Sequence, residues 1–278
     1  YLKTNKCDYI IATSEPFILF RYAKKLSNEF KIPWIADYRD SWSTNYNILH
    51  NKKLVVKLIT KYCIQYFEKK LIKNTLFVIT TAAEYKEKLS KIHPKKEVHI
   101  IYNGFNKEYI NSLNNNLQNN ELFEIAYAGT IYPYQRLEVF LEGFRRFINV
   151  QNNPKIKILF YGIDFIPEQK QRILSYKQEI NQYIQTTKRL SQKRVLQKLN
   201  TANLLLLLAN ESRSYIIAKV FDYLALNKKI LLVVNDNGSL EKIINETNAG
   251  IICENSDDVY NHLTDLYSEF LKNKKYFW

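Results

Sequence analysis

Short runs of β-branched and apolar residues alternate with longer segments in which apolar residues recur at helical spacing, from residue 8 onward. Such alternation is typical of a parallel β-sheet whose strands are connected by crossover helices. In the first part of the chain the pattern predicts strands at 8–13, 33–36, 76–80 and 98–101, and helices at 16–30, 52–71 and 83–90.

The helix predicted at 52–71 has an amphipathic pattern with many lysines. We expect the lysines to face solvent and the apolar positions to face the protein core. Those apolar positions include Leu54, Leu58, Tyr62 and Phe67.

The segment 111–120 contains six asparagines and lacks an apolar period, so it predicts a surface connection between two halves of the chain. Beyond it the alternation restarts and predicts a complete α/β domain. Its predicted strands are 123–128, 155–161, 202–209, 230–234 and 250–253, and its helices are 137–150, 167–180, 191–200, 218–226, 240–248 and 257–271. Ligands of such sheets bind beyond the carboxyl ends of the strands, so the loops there carry the candidate chemistry.

The composition is that of a globular protein: 46% of the 278 residues are hydrophobic and 24% are charged, which excludes a disordered chain. A net charge of +14 favours anionic partners. Nucleic acid is not expected, because the basic residues are spread through helices rather than gathered with aromatics on one strand face. Three scattered cysteines exclude a disulfide framework and fit a reducing compartment, which predicts a cytoplasmic protein.

Metal, hydrolase and dehydrogenase chemistry are all disfavoured by the motifs. The four histidines lack the spacing of metal ligands, and no Gly-x-Ser-x-Gly, Walker-type or Gly-x-Gly-x-x-Gly segment occurs. The longest uninterrupted apolar run, Leu204–Ala209, is too short to cross a bilayer as a helix.

The most informative segment is 211–226, where a polar loop leads from an apolar strand into a helix. The amides of Ile217, Ala218 and Lys219 would face a phosphate there, aided by the helix dipole and the lysine charge. Asp222, one turn further, could accept hydrogen bonds from a ribose diol. The alternative is an amphipathic helix whose Lys219 and Asp222 are merely solvated.

A second segment, 127–137, places Gly129 and Thr130 directly after a predicted strand. Glycine permits close approach of the backbone to a ligand. Arg136 begins the next helix, where a cation gains nothing from the dipole, so an anionic ligand would explain it. The alternative is a glycine turn with an exposed arginine.

A third segment, 32–42, places Asp37, Arg39 and Asp40 after a strand and between two tryptophans. These side chains could bind a polar substrate, or they could form an internal ion-pair network that holds the loop. Upstream, Ser14 and Glu15 lie in a strand-to-helix turn, and Ser14 is better explained as a helix N-cap than as a substrate contact.

Together these segments resemble the GT-B glycosyltransferases of family 4, particularly bacterial members that build surface polysaccharides. The resemblance rests on the order and spacing of IPWIADYRDSW, YNGF, IAYAGTIYPYQRLEVFLEGF and AKVFDYLAL. It implies an α/β fold of GT-B architecture, with two Rossmann-like domains whose parallel sheets face a cleft. The implied parts are a partial N-terminal acceptor domain at 1–104, a connection at 105–122, a nucleotide-sugar domain at 123–255, and a helix at 256–278 that crosses back.

The resemblance also implies roles for particular residues. Gly129 and Thr130 correspond to the loop beside the donor diphosphate, with Arg136 as its basic clamp. Lys219 and the amides of Ile217 and Ala218 correspond to a second phosphate contact, and Asp222 to the acid that binds ribose. Asn103 and Gly104 correspond to the turn that ends the N-terminal domain. Asp40 is our candidate for an acceptor-side acid or orienting residue, and Ser14, Glu15, Asp37 and Arg39 are acceptor-side candidates.

Two departures from the family pattern concern the diphosphate clamp. The family often has a pair of glutamates eight positions apart, but Ser214 and Asp222 stand at those positions here. The usual Arg–Lys pair after the glycine is reduced to Arg136. The chain also begins at Tyr1, and nothing matches the family's first strand and glycine-rich loop, so we expect about a third of the N-terminal domain to be absent.

The leading hypothesis is a glycosyltransferase that moves a sugar from a nucleoside diphosphate to an acceptor hydroxyl, with retention and without a metal or other cofactor. The alternatives are a nucleotide-sugar epimerase of the same architecture and a non-catalytic nucleotide-sugar-binding subunit. The charge of +14 and the lysines around 52–73 predict reversible docking at the inner face of an anionic membrane, where a carbohydrate or lipid-linked acceptor would lie. A lysine-rich surface from a compositionally biased genome is the alternative.

Overall fold

The computed structural model describes residues 2–40, 42–43, 54–113, 121–209 and 216–275. It divides into two compact units, residues 1–103 and 104–278. The segment 114–120, which holds most of the asparagine-rich connection, and the loop 210–215 lie outside the described residues.

The first unit contains a parallel sheet with the order β1-β2-β3-β4 in its described part. Its core packs aromatic side chains of the first helix and second strand, including Phe20, Trp34 and Tyr38. β1 lies at the sheet edge. The elements are β1 (Ile10–Thr13), α1 (Ile18–Phe30), β2 (Trp34–Tyr38), α2 (Leu54–Ile72), β3 (Val78–Thr80), α3 (Ala83–Ile92) and β4 (Val98–Ile100).

The second unit contains a parallel sheet with the order β10-β9-β8-β5-β6-β7. It begins with α4 (Lys107–Asn111) and β5 (Phe123–Ala128). The remaining elements are α5 (Leu137–Val150), β6 (Ile156–Tyr161), α6 (Pro167–Leu174), β7 (Ile184–Thr186), α7 (Gln192–Thr201), β8 (Leu204–Leu208), α8 (Lys219–Ala225), β9 (Lys229–Val233), α9 (Ser239–Thr247), β10 (Gly250–Cys253) and α10 (Ser256–Lys275).

Central strands of this sheet are buried on both faces. β8 is five consecutive leucines, all of them buried, as expected for a parallel strand covered by helices on both sides. α5 packs on the sheet through a stripe of phenylalanines, and α10 packs along α5. The expectation that this last helix also returns to the N-terminal domain stays a prediction.

The fold is the predicted α/β class with two parallel sheets. The bounds of β5, α5 and β10 agree with the pattern. The helix predicted at 167–180 ends at Leu174 and is followed by a 3₁₀ turn at Gln178–Tyr183, and the short α4 and β7 were not predicted.

The predicted orientation of α2 is wrong. Leu54, Leu58, Tyr62 and Phe67, expected on the core side, are all exposed, and Glu68 and Ile72 are buried instead. The buried glutamate is stabilised because it accepts hydrogen bonds from the Tyr38 hydroxyl at 3.0 Å and the Ser43 amide at 3.3 Å.

Gly143 allows α5 and α10 to approach closely. A Cβ atom at this position would lie 2.5 Å from the Val259 Cβ and 2.7 Å from the Ser256 carbonyl oxygen. Since one of these contacts is with backbone, it is relieved only if the helix shifts.

We therefore expect Gly143→Ala to destabilise the protein by about 1–3 kcal/mol, although alanine favours helix by about 1 kcal/mol. Gly104→Ala is the control, because a Cβ at Gly104 would meet no atom within 4 Å. Denaturant unfolding measures both variants. Equal stability of the two would contradict the close packing of α5 on α10.

Candidate functional site

The order in which the strands of the second sheet follow one another reverses between β5 and β8. Strands β5, β6 and β7 run outward to one side and β8, β9 and β10 to the other. A parallel sheet opens a crevice where the strand order reverses, beyond the carboxyl ends of the strands. Gly129 follows β5 at this point, and the segment after β8 leads into α8.

Two side chains of α8 bind the backbone of one residue, Ala128, at the end of β5. The Lys219 ammonium donates a hydrogen bond to the Ala128 carbonyl oxygen at 2.7 Å. The Ala128 amide donates to the Tyr223 hydroxyl oxygen at 3.4 Å. The start of α8 is therefore fixed against the end of β5, across the reversal of strand order.

The Lys219 side chain is partly buried, and its ammonium lies inward, 4.0 Å from the centre of the Tyr127 ring. No carboxylate of the described residues pairs with it. Burial lowers the pKa of Lys219 to about 7, because removing an ammonium from water disfavours its charged form. The lysine therefore changes charge near neutral pH and gains from any anion brought close to it.

Two glycines with left-handed backbone meet beside this lysine. Gly129 has φ of +97° and Gly162, after β6, has φ of +88°. A Cβ on Gly129 would lie 3.4 Å from the Lys219 nitrogen, and a Cβ on Gly162 would lie 4.0 Å from Gly129. Glycines therefore leave the backbone open to a ligand at the ends of two adjacent strands. Sequence reasoning missed Gly162, although its place directly after an apolar strand was the available signal.

Arg136 is exposed immediately before the first residue of α5. Its guanidinium makes no hydrogen bond or ion pair with another residue of the described ranges. Thr130 is half-buried, and its carbonyl accepts a hydrogen bond from the Tyr127 hydroxyl at 2.7 Å. The structure thus offers a free cation at the end of a loop that begins at Gly129.

That loop, residues 130–136, is held by polar side chains that sequence reasoning did not identify. Gln135 donates to the Leu208 carbonyl at 2.7 Å and accepts from the Tyr132 amide at 2.9 Å. Arg172 donates to the carbonyls of Tyr132 and Gln135, and it also forms a bidentate pair with Glu138. The hydrogen bond from Arg172 lowers the pKa of Glu138.

Ile217, Ala218 and Asp222 lie at and after the start of α8. The amides of Ile217, Ala218 and Lys219 find no acceptor in the part of the chain that the structure describes. The Asp222 carboxyl is half-buried, and burial raises its pKa. Its side chain makes no hydrogen bond with the described ranges, so its oxygens are available to donors. Ser214, on the same segment, lies outside those ranges.

Polar side chains also meet at the carboxyl ends of β1 and β2 in the first unit. The buried Asp37 carboxylate accepts from the Thr13 hydroxyl at 3.0 Å and from Arg39 Nε at 2.9 Å. Arg39 also donates to the Asn103 side-chain oxygen at 2.9 Å. The predicted Asp37–Arg39 pair is therefore present, and it ties β2 to the end of the unit.

The other acceptor-side candidates behave differently from one another. Ser14 is buried, its hydroxyl and Asp37 Oδ1 find no hydrogen-bond partner among the described residues, and α1 begins only at Ile18, so the N-cap interpretation is wrong. Glu15 is exposed. Asp40 is half-buried, and burial raises its pKa, but no ion pair joins it to Arg39 among the described atoms. The cluster therefore comprises Ser14, Asp37 and Arg39.

No three His, Cys, Asp or Glu side chains within the described ranges are grouped so that they could hold a metal ion. Within the same ranges, no helix combines the length and the apolar character needed to cross a bilayer.

Solved structures with the same fold were found, whereas no protein-family model and no curated protein sequence matches the chain. Anabaena HepE, in complex with UDP and glucose, is 12% identical with a TM-score of 0.59, over 91% of this chain and 66% of that one. A glycosyltransferase from Rickettsia africae is 14% identical with a TM-score of 0.59, over 94% and 87% of the two chains. The chain has the GT-B fold.

The same fold also occurs in a different enzyme class. A Listeria monocytogenes protein assigned as a UDP-N-acetylglucosamine 2-epimerase is 10% identical with a TM-score of 0.52, over 96% of this chain and 67% of that one. This chain therefore spans about two thirds of the length of HepE and of the Listeria protein. At these identities the likeness establishes the GT-B architecture, and the chemistry must be argued from the site.

Arg172→Ala should loosen the 130–136 loop, because it removes hydrogen bonds to two of its carbonyls. Charge-assisted hydrogen bonds contribute about 1.5–3 kcal/mol each, so the amides of this loop should exchange with solvent at least about tenfold faster. Arg145→Ala is the matched control, since Arg145 also pairs with a glutamate of α5, Glu142, but does not contact the loop. Equal loop exchange in the two variants would show that Arg172 does not hold it.

Proposed function

We propose that the chain is the donor-binding unit and part of the acceptor-binding unit of a nucleotide-sugar-dependent glycosyltransferase. The observation that carries the proposal is the inward-facing Lys219 ammonium beside Gly129 at the reversal of strand order. A cation enclosed by apolar groups and by open backbone favours an anionic ligand. HepE, which shares the fold, was crystallised with UDP and glucose at 12% identity.

In this proposal the protein stabilises the nucleoside diphosphate as it leaves the sugar. The bond between the anomeric carbon and the diphosphate oxygen breaks, and the acceptor oxygen bonds to that carbon while its hydroxyl proton passes to an oxygen of the departing diphosphate. Negative charge develops on the diphosphate, where Lys219, Arg136 and the amides of Ile217 and Ala218 would stabilise it. Asp222 would accept hydrogen bonds from the ribose hydroxyls, and Thr130 would line the diphosphate loop.

The acceptor would bind near the cluster of Ser14, Asp37 and Arg39, with Asp40 as its acid or orienting group. Two buried oxygens that lack a partner in the described part of the chain, Ser14 Oγ and Asp37 Oδ1, support a polar ligand there because such atoms are costly to leave unpaired. Retention of anomeric configuration, independence of metal, and a role in bacterial polysaccharide or glycolipid synthesis belong to the same proposal.

An epimerase is the second candidate, favoured by the Listeria structure of the same fold. It would bind the same diphosphate but would release an isomerised nucleotide sugar. Incubation with UDP-glucose and UDP-N-acetylglucosamine separates the candidates. A glycosyltransferase would transfer the sugar to an acceptor or to water, and an epimerase would produce an isomer of the donor that NMR detects. A non-catalytic subunit would bind the donor without turnover. Isomerised donor would replace the transferase proposal, and a failure to bind any nucleoside diphosphate would remove both.

Arg136→Ala should weaken UDP binding about ten- to hundredfold, because it deletes a charge-assisted contact to phosphate. The stability of this variant should be unchanged, since the Arg136 side chain is exposed and pairs with no other residue that the structure describes. Arg146→Ala is the control, which removes the same charge from α5 about 15 Å further along the helix. Calorimetry with UDP measures both variants. If both bind like the parent chain, Arg136 does not contact the diphosphate.

Donor affinity should depend on the charge of Lys219. With a pKa of about 7, the ammonium is protonated below neutral pH and attracts the diphosphate, and above it the neutral amine does not. UDP affinity should therefore fall as the pH rises from about 7 to about 9. The side chain of the Lys219→Arg variant stays charged throughout this range. Any change of UDP affinity with pH in this variant therefore comes from the titration of UDP itself.

Lys219→Met provides the uncharged comparison: it should bind weakly with no decline over the same range. A parent chain whose affinity follows that of Lys219→Arg at every pH would contradict the titration of Lys219. A parent chain that matches Lys219→Met throughout would remove the lysine from the binding site.

A further inference from the structure

Helix α2 carries the most extensive apolar surface among the described residues. The exposed fractions of Leu54 and Tyr62 are 72% and 74%. Eight large apolar side chains of this one helix are exposed, namely Leu54, Val55, Val56, Leu58, Ile59, Tyr62, Tyr66 and Phe67. Contiguous patches of this kind on a protein surface mark an interaction site.

Seven of these eight apolar residues lie on the side of α2 that faces away from the unit, and Leu54 lies on the opposite side. Successive residues of an α-helix are about 100° apart, which places the buried Glu68 and Ile72 on one side. An arc of about 180° on the other side, the outward face of α2, consists of Leu58, Tyr62, Val55, Tyr66, Ile59, Val56 and Phe67 together with Cys63, Lys69 and Lys70. With 19 residues, α2 is about 28 Å long.

Positive charges accompany this apolar face. Lys69 and Lys70 lie within the outward arc, and Lys73 follows the end of the helix. The whole chain carries +14. Glu68 is the one acidic residue of the helix, and it is buried. The face therefore combines apolar side chains, aromatic rings and unopposed lysines.

We propose that the outward face of α2 docks in the plane of an anionic lipid bilayer. Apolar and aromatic side chains would enter the boundary between headgroups and acyl chains, while the lysines attract anionic headgroups. A second copy of the chain fits less well, because an interface between two identical faces would bring the same lysines together in a chain already at +14. A helix of this composition lies on a membrane surface and does not span it.

Docking of this face requires its apolar side chains to contribute to binding, whereas purely electrostatic binding would not. If the lysines acted alone, salt would release the protein and loss of an apolar side chain would not matter. If the face enters the lipid, each buried methylene contributes about 0.8 kcal/mol, close to a fourfold change in partition.

Partition onto phosphatidylcholine vesicles with and without phosphatidylglycerol tests the proposal by co-sedimentation. We expect binding to the anionic vesicles, and about tenfold weaker partition for Val55→Ser. Val150→Ser is the matched control, since both valines are on helices and both are 66% exposed. Equal partition of the two variants would overturn the proposal, as would a failure of the parent chain to bind anionic vesicles at low salt.

The lysines are tested in the same assay. Lys69→Gln with Lys70→Gln should weaken partition roughly thirtyfold, from about 1 kcal/mol per basic residue near the surface. Lys193→Gln with Lys198→Gln, two exposed lysines of α7 in the second unit, is the charge-matched control. Equal losses in the two pairs would show that net charge, and not the face of α2, drives binding.

A probe on Cys63 reports the contact directly, because this exposed thiol lies within the outward face. After Cys7→Ser, Cys63 is the accessible cysteine, since Cys253 is buried. An environment-sensitive fluorophore there should shift to the blue with anionic vesicles. No shift despite co-sedimentation would mean that another surface binds. A shift that depends on protein concentration without lipid would indicate self-association and overturn the proposal.

The membrane proposal does not rest on the proposed function. Val55→Ser should bind UDP like the parent chain, so lost docking and lost donor binding are distinguishable by calorimetry in the absence of vesicles.

Discussion

The contact between the Lys219 ammonium and the Ala128 carbonyl holds together the two segments that carry the candidate donor-binding residues. The reversal of strand order between β5 and β8 opens the crevice, but the sheet does not by itself position α8 over it. Lys219 and Tyr223 do so by binding the carbonyl and the amide of the same residue. Because Ala128 immediately precedes Gly129, the same contact places the ammonium beside open backbone.

In this arrangement the Lys219 side chain can be a charged ammonium or a neutral amine near neutral pH. Its only hydrogen bond to the described residues is to a neutral carbonyl, which compensates poorly for loss of water around a charge. An anion in the crevice would provide that compensation. The 130–136 loop would have to keep its shape as the anion binds. Arg172 and Gln135 supply that rigidity through backbone carbonyls and amides, so an electrostatic site rests on hydrogen bonds made elsewhere in the unit.

The sequence predicted those parts of the fold that depend on local pattern. The apolar alternation of β5 and the phenylalanine stripe of α5 each determine an element by themselves, and their bounds agree with the structure. Arg172 could not be found in this way, because its partners lie 34 to 40 positions away and only the packing of α6 beside α5 brings them together. The roles assigned to Asp222 and Arg136 stay predictions, since position alone does not show what they bind.

Helix α2 shows why periodicity does not determine burial. Its pattern identifies the apolar positions but does not show what surrounds them. Apolar side chains along one arc of a helix can be buried in a lipid boundary as well as in a protein core. The buried side is held by Glu68, whose carboxylate accepts from Tyr38 and Ser43 and lies 3.5 Å from His93. The contacts of Glu68 and the buried side chain of Ile72 therefore attach the helix to its unit, while eight of its large apolar side chains remain exposed. A helix attached in this way presents on its outer side an apolar surface on which a partner could bind.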